Sequence, residues 1–416
     1  KCESGRRGEK YQFSEQRYRF QSFSFHVIVG SLHNTPIARA EPYSIYMTKK
    51  NQTPQTPSDD RMKEYLQKIA TGPKMSKNLT ETEAEDALNL ILKGEVSAVR
   101  AAVFLVAARM KMETLEENIG YWRALDKTTI RTSIPLDRLI QIADPFDGFN
   151  RVPYFGLYVP PTLAAMGLPA CGNSASSLPP KLGITFEDIL TRHYGIPSTG
   201  AHQQRIKLIK ELRFGYINMQ EAHPSLERLR NLRGEIVKRT MLSTMEKMLM
   251  PLQVQAGGNF LATGYFHRGY EVPMMAVARL SGFDRTLVGN GMEGTTLYGI
   301  HKPATVFVDS GNSEPKEVRF DLEKIFLEKT ASEISDTYEA LKGEEYDLIK
   351  LATWGETALK NGTGPAAPLI ACQAGILFHL IGSSLSFQEG YDTARNTLYS
   401  GTCYNKFMDF VDRCRR

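Results

Sequence analysis

The sequence predicts an α/β protein in two parts, a small all-helical unit followed by a larger α/β unit with a mainly parallel central sheet. Helix start signals recur through residues 62–130. Residues 139–171 then read as strand, loop, helix and strand, which is a parallel βαβ unit. The chain length, 416 residues, suits two or three domain-sized units. Hydrophobic residues make up 42% and charged residues 23%, enough for a large core and unlike disordered, collagen or coiled-coil chains.

Residues 1–61 are read as an N-terminal extension, disordered or not native to the fold. Residues 1–46 are rich in Arg, Gln, Ser and Tyr, hold no helical period, and precede the first methionine, Met47. A second reading is a basic nucleic-acid arm, with Lys1, Arg6, Arg7, Lys10, Arg17 and Arg19 among Tyr11, Tyr18 and Phe20. The helical unit, 62–130, follows. Thr80-x-x-Glu83 is a capping box for a helix ending at Lys93 before Gly94. Ser97 caps Ala98–Met110, apolar on nearly all sides and so read as buried in a bundle or dimer contact. Thr114-x-x-Glu117 opens a third helix to about Leu125.

The α/β unit, 131–416, begins with the strand Leu139–Ala143 and the loop Asp144–Arg151. A helical stretch, Phe155–Met166, is broken by Pro160-Pro161, and Leu168–Cys171 is a second strand before a Gly-Asn-Ser loop. Ligands in such folds sit at the C-terminal strand ends. Residues 202–247 are charged and helical, with ten Lys/Arg against five Asp/Glu, an excess of +5 that equals the net charge of the chain. Thr286–Val288 and Ala304–Val308 read as strands. Ser332–Leu341 and Ala366–Ile381 read as helices, with a last helix after Ser386.

The apolar stretch Ala366–Leu385 contains Gln373 and His379 and reads as a buried helix, because lipid would leave those groups unpaired. Phe25–Leu32 is too short for a signal-peptide core. Five cysteines with no CxxC pair argue against a disulfide scaffold or structural zinc and fit a reducing, cytoplasmic setting. Cys171 is read as a small buried hydrophobe. His193, His202, His223 and His267 show no metal spacing and are read as structural or surface residues.

Thr82-Glu-Ala-Glu-Asp-Ala-Leu, Ile91-Leu-Lys-Gly-Glu-Val-Ser and Ala102-Val-Phe-Leu-Val-Ala-Ala-Arg-Met-Lys-Met-Glu-Thr resemble the N-terminal helices of the anthranilate phosphoribosyltransferase family (glycosyltransferase family 3). Phe387-Gln-Glu-Gly-Tyr-Asp-Thr-Ala-Arg and Ser400-Gly-Thr resemble its last helices. The likeness covers about residues 62–416. It implies a helical domain, joined by helices from about 225–250, hinged to the α/β domain with a substrate cleft between them. It also implies a homodimer through the helical domain and phosphoribosyl transfer from phosphoribosyl pyrophosphate (PRPP) with Mg2+.

The family's motifs are altered in this chain. Where the resemblance places the glycine-rich pyrophosphate loop Gly-Thr-Gly-Gly-Asp, this chain has Asp144-Pro145-Phe146-Asp147-Gly148. Backbone N–H groups of such a loop close on phosphate oxygens; Pro145 has none, and two carboxylates repel an anion. Asn150 matches the following Asn-x-Ser-Thr motif, but Val152 and Pro153 replace its hydroxyls. Lys-His-Gly-Asn reads Ala170-Cys171-Gly172-Asn173, without the lysine, and the metal-binding Asp-Glu pair reads Glu293-Gly294. Arg239-Thr240 resembles the Arg-Thr pair whose arginine contacts the aromatic acid acceptor. Gly-x-Glu-Gly with an altered phosphate loop resembles a paralogous branch that keeps the fold, lacks the parent activity and binds nucleic acid through a basic groove.

These residues set the expectations. A phosphorylated pentose is expected at Asp147, Gly148, Asn150, Arg151, Gly172 and Asn173, with Glu293 as the Mg2+ ligand, alone or joined by Asp144 and Asp147. Turn formation is the simpler account of those two aspartates. Arg239 is expected to meet an anionic acceptor. The alternative is a non-catalytic homodimer whose Arg228, Arg230, Arg233 and Lys238 form a phosphate-tracking stripe, against a solvated face paired with Glu227 and Glu235. A nucleoside phosphorylase-like activity shares the fold but needs an intact phosphate site. No catalytic residue is assigned.

Overall fold

The computed structural model describes residues 56–416 apart from 73, 256, 312 and 313. Both readings of residues 1–46 therefore lie outside the described residues. The first described helix, α1, spans Pro57–Ile69. The Thr56 hydroxyl accepts the Asp59 N–H at 3.2 Å, and the Asp59 carboxylate accepts the Thr56 N–H at 3.3 Å. Pro57, in the first turn, has no N–H to satisfy. Residues 57–61, assigned to the extension, are thus helical, started by a second-order signal (Thr-Pro-x-Asp) ahead of any apolar period.

Helices α2 (Glu81–Lys93), α3 (Ala98–Lys111) and α4 (Leu115–Thr128) start at the caps Thr80, Ser97 and Thr114, and α2 stops at left-handed Gly94. Helix α3 is buried against the bundle on one side and leaves another open. Ala101, Phe104, Leu105 and Ala108 are buried, whereas Val99, Val103 and Met110 on other faces are 73%, 45% and 74% exposed.

Strand β1 (Thr132–Ile134) leads to β2 (Leu139–Ala143). A 3-10 turn, Gly156–Tyr158, then runs into helix α5 (Val159–Ala165), where the two prolines occupy the first turn. They start this helix rather than break it, because first-turn N–H groups need no helical acceptor. Strand β3 follows at Ala170–Ser174, then β4 (Phe214–Asn218), β5 (Leu252–Val254), β6 (Asn259–Tyr265), β7 (Arg285–Asn290), β8 (Ala304–Asp309) and β9 (Lys316–Phe320).

The main sheet has the order β4-β3-β2-β6-β7-β8-β9; β1 and β5 form a separate parallel pair. From β4 to β7 every pairing is parallel, and β8 and β9 are antiparallel. Ala143 lies opposite Thr263 and Asn173 opposite Ile217. The loops leaving β2, β3, β6 and β7 therefore emerge along one edge, the ligand edge of open parallel sheets.

The helix Ala366–Leu380 is buried along nearly its whole length. Gln373 donates to the Tyr154 hydroxyl and the Thr296 hydroxyl, both at 2.7 Å. Those bonds satisfy the polar group that lipid would have stranded. Among the described residues, no helix is long and apolar enough to cross a membrane.

Candidate functional site

The site is built around the loop after β2. Asp144 is buried and accepts hydrogen bonds from the Tyr154 hydroxyl (2.5 Å), the Thr296 N–H (2.7 Å) and the Thr296 hydroxyl (3.1 Å). Burial pushes its carboxyl above the usual range, and these donors oppose that rise. The next residues turn sharply, with the Gly148 N–H donating to the Pro145 carbonyl at 3.0 Å. Gly148 has φ +77°, and a Cβ there would lie 2.4 Å from the Gly183 carbonyl carbon. The close approach is cemented by Gly183 N–H to Asp147 O (2.9 Å), and by Phe149 and Ile184 exchanging bonds at 3.0 and 2.8 Å. The loop is thus strapped to residues 178–184.

Beside it opens a cleft of about 360 Å³. The predicted residues Asp147, Asn150, Arg151, Arg239 and Glu293 all line it. So do residues the sequence reading did not select, chiefly Lys181, Lys247, Tyr265, Phe266 and His267. Arg239 pairs with Asp147, its Nη2 at 2.5 Å and Nε at 2.6 Å from Oδ2, and its side chain stays half exposed. Arg151 is exposed, and its guanidinium lies 5.7 Å from the Phe266 ring centre, a cation–π arrangement. Lys181 pairs with Glu293 and donates to the Gly148 carbonyl at 2.6 Å. Glu293 also accepts the Arg151 N–H at 2.8 Å and the Asn150 N–H at 3.4 Å.

Lys247 is buried and donates to the Gly264 carbonyl. Burial lowers its amine to about 8, against the pull of Asp147, Asp144 and Glu246. It appeared in the sequence only as one charge among ten. Lys181 follows two prolines in a segment with no periodic signal. It brings an ammonium to the cleft although position 170, where the resemblance places a lysine, is a buried alanine in β3. His267, read as structural or surface, lines the cleft.

Other expectations do not meet here. Gly172 and Asn173 lie within β3 and are buried. A Cβ on Gly172 would lie 2.9 Å from the Tyr216 ring, so its small size serves packing. Asn173 donates to the Gln141 side-chain oxygen at 3.2 Å, inside the sheet. The segment after Asp144 turns at Pro145–Gly148, and the three carboxylates have separate partners: Tyr154 and Thr296 for Asp144, Arg239 for Asp147 and Lys181 for Glu293. Cys171 is buried, and desolvation pushes its thiol up. Cys372, Cys403 and Cys414 are likewise free and buried.

The four residues of the basic stripe do not form one. Arg228 donates to the Leu92 carbonyl at 2.8 Å, bridging to α2. Arg230 is held by Glu227 (2.5 and 3.0 Å) and by the carbonyls of Ser177 (2.8 Å) and Ser176 (3.1 Å). Arg233 is buried and grips Glu246 through both terminal guanidinium nitrogens, at 2.7 and 3.0 Å. The helix Arg230–Ile236 then ends at left-handed Val237, φ +58°, which turns Lys238 and Arg239 off its axis. Lys238 alone of the four is an exposed cation that meets no hydrogen-bond or ion-pair partner among the described residues. Helical spacing was real over one short helix only, and carboxylates and carbonyls, most of them distant in sequence, claimed the arginines.

The donor set does not fit a magnesium ion. Among the described residues, no three His, Cys, Asp or Glu side chains gather as a metal group. A hard cation takes several unencumbered oxygens; the Glu293 carboxylate is held by an ammonium and two N–H groups, Asp147 by Arg239, and Asp144 by Tyr154 and Thr296.

Comparison with known proteins defines the class. Residues 63–129 match the helical bundle domain of the glycosyl transferase family. The chain is 24% identical over 353 residues to the anthranilate phosphoribosyltransferase of Persephonella marina, covering 82% of this chain and 96% of that protein. It is 26% identical to that of Streptococcus mutans, covering 83% and 97%. The fold is shared with the anthranilate phosphoribosyltransferase of Thermus thermophilus, at TM-score 0.67 and 23% identity over 86% of this chain and 100% of that one. It is also shared with the Saccharomyces cerevisiae enzyme in complex with PRPP and Mg, at TM-score 0.67, 16% identity, and 86% and 98% coverage. The chain is a glycosyl transferase-fold protein with a helical bundle domain. Over most of its length it is similar to anthranilate phosphoribosyltransferases, whose fold it shares.

Proposed function

We propose that this protein binds a phosphorylated pentose in the cleft between the loop after β2 and the loops after β6 and β7, and that it does not carry out ordinary anthranilate phosphoribosyl transfer. The supporting observation is the convergence of Arg151, Lys181, Arg239 and Lys247 on one cleft. Arg151, exposed over Phe266, and half-exposed Arg239 are placed to receive an anion from solvent. A ligand of the kind bound in the Saccharomyces cerevisiae enzyme's complex with PRPP and Mg fits that charge.

The chemistry argues against the relatives' named reaction. Transfer breaks the bond from the ribosyl carbon to a pyrophosphate oxygen as the acceptor nitrogen bonds to that carbon and releases a proton. The leaving pyrophosphate carries the developing charge, and the carbon becomes oxocarbenium-like. Stabilising that departure needs donors or cations aimed at the leaving group. In this chain the loop after β2 spends its N–H groups on residues 145 and 184 and on Glu293. The exposed Val99, Val103 and Met110 of α3 support a homodimer through the helical domain.

Calorimetric titration with PRPP tests the reading, with Mg2+ and with a chelator. Binding is expected in both, with no consumption of anthranilate. Absence of heat at millimolar PRPP in both conditions overturns it.

A further inference from the structure

The cleft contains a small anion cradle that the chain fills with its own carboxylate. The Arg151 N–H (2.8 Å), the Asn150 N–H (3.4 Å) and the Lys181 ammonium all point at one place. Successive backbone N–H groups beside an ammonium form the kind of concavity that takes a phosphate or carboxylate oxygen. The Glu293 carboxylate sits there, with its side chain 5% exposed and that of Lys181 12% exposed. Glu293 reaches it from a backbone in the left-handed region, φ +51° and ψ +17°, inside the 3-10 turn Met292–Gly294. A non-glycine residue there carries a backbone cost that its contacts must offset.

Each part has a separate origin in the chain. The N–H pair comes from the loop after β2, Lys181 from the strap that holds that loop, and Glu293 from the loop after β7. Lys181 is further anchored by the Gly148 carbonyl at 2.6 Å, so the cradle persists when the carboxylate leaves.

We infer that Glu293 is an internal competitor: its carboxylate occupies the cradle as a stand-in for the anionic group of the ligand, and binding requires its displacement. This rests on the reading of the cleft as a phosphosugar site and adds a regulatory element to it. The affinity of an incoming anion is reduced by the fraction of molecules in which the cradle is open. The cation serving the cradle is the Lys181 ammonium, so the exchange does not call for a divalent metal.

The test uses the full chain and inorganic pyrophosphate, titrated by calorimetry in chelator, with the amide resonances of Asn150 and Arg151 followed by NMR. Glu293→Gln weakens the plug by removing its charge, and Glu293→Asp keeps the charge but shortens the reach. Both are expected to bind about tenfold tighter than the native chain or more, with the two amides shifting on titration. Lys181→Met is expected to abolish the gain in either background, and added Mg2+ to leave affinities unchanged. Thermal melts establish that each variant is folded. Tighter binding by Glu293→Gln with none by Glu293→Asp reduces the effect to bulk charge and overturns the internal competitor. Native-chain binding that both variants leave unchanged or weaken also overturns it, while the phosphosugar reading stands. Absence of heat in every protein, with pyrophosphate and with PRPP, overturns both.

Discussion

Replacing Arg233 with Met separates the two roles a basic residue could have in this region. Its side chain is 7% exposed and that of its partner Glu246 is 2% exposed. The guanidinium donates to both carboxylate oxygens, at 2.7 and 3.0 Å, and to the Ser243 hydroxyl at 3.3 Å. Methionine fills much of the arginine stem's volume but leaves Glu246 a buried, unpaired carboxylate. Removing one member of such a pair costs about 3–5 kcal/mol, far above the ~1 kcal/mol ceiling of an exposed pair. Urea denaturation followed by circular dichroism reads this as a lower midpoint at unchanged slope. Replacing both residues, Arg233→Met with Glu246→Leu, is expected to recover most of the loss, because no charge is then stranded. An Arg233→Met protein of native stability that has lost affinity for single-stranded DNA would refute this account, since Arg233 would then be spent on a ligand and not on Glu246.

Other outcomes follow from the same geometry. Arg239→Ala should change stability by less than about 1 kcal/mol, because its pair with Asp147 is half exposed, yet weaken PRPP binding by calorimetry. Gly148→Ala should cost roughly 1–3 kcal/mol or more in urea, since φ is +77° and the new methyl meets the Gly183 backbone; a neutral result would mean the strap is not tight. Tyr154→Phe should cost about 1–3 kcal/mol by removing the 2.5 Å donor to buried Asp144. Lys247 has a folded pKa of about 8, below its ordinary 10.5. The unfolded chain therefore binds more protons between those values, and stability should rise with pH through that window. Lys247→Met should flatten that rise relative to the native protein; identical pH profiles would exclude Lys247 as its source.

The elements most readable in the sequence were those with local signals. The caps Thr80, Ser97 and Thr114 announced α2, α3 and α4, and β2 and β8 were visible as apolar runs. Strand β4 was hidden because Phe214–Asn218 sits inside a stretch dominated by charge, and its burial comes from β3 beside it and from distant residues such as Phe410, which packs on Phe214 and Tyr216. In the site, Asp147, Asn150, Arg151, Arg239 and Glu293 were found by motif position and do converge. Gly172 and Asn173 were carried by the same logic to a buried strand. Lys181 and Lys247 could not be found, because what brings them to the cleft is a strap and a carbonyl, contacts with no sequence period. Among the charged residues, sign was legible but partner was not. Arg228 and Arg230 each meet carbonyls far along the chain, one in α2 and the other at Ser176 and Ser177.

The tie between the loop after β2 and residues 178–184 has a consequence for recognition. Four backbone hydrogen bonds, Gly183 to Asp147, the Phe149–Ile184 exchange and Leu178 to Phe146, hold the floor of the cleft before any ligand arrives. A floor already fixed surrenders little conformational entropy on association, so affinity is not spent on ordering it. It also has little freedom to adapt, so a ligand of a different shape must be accommodated by the opposite wall. On the phosphosugar reading, the breadth of ligands is expected to be set at Phe266, His267 and Tyr270, which follow β6 and line the cleft.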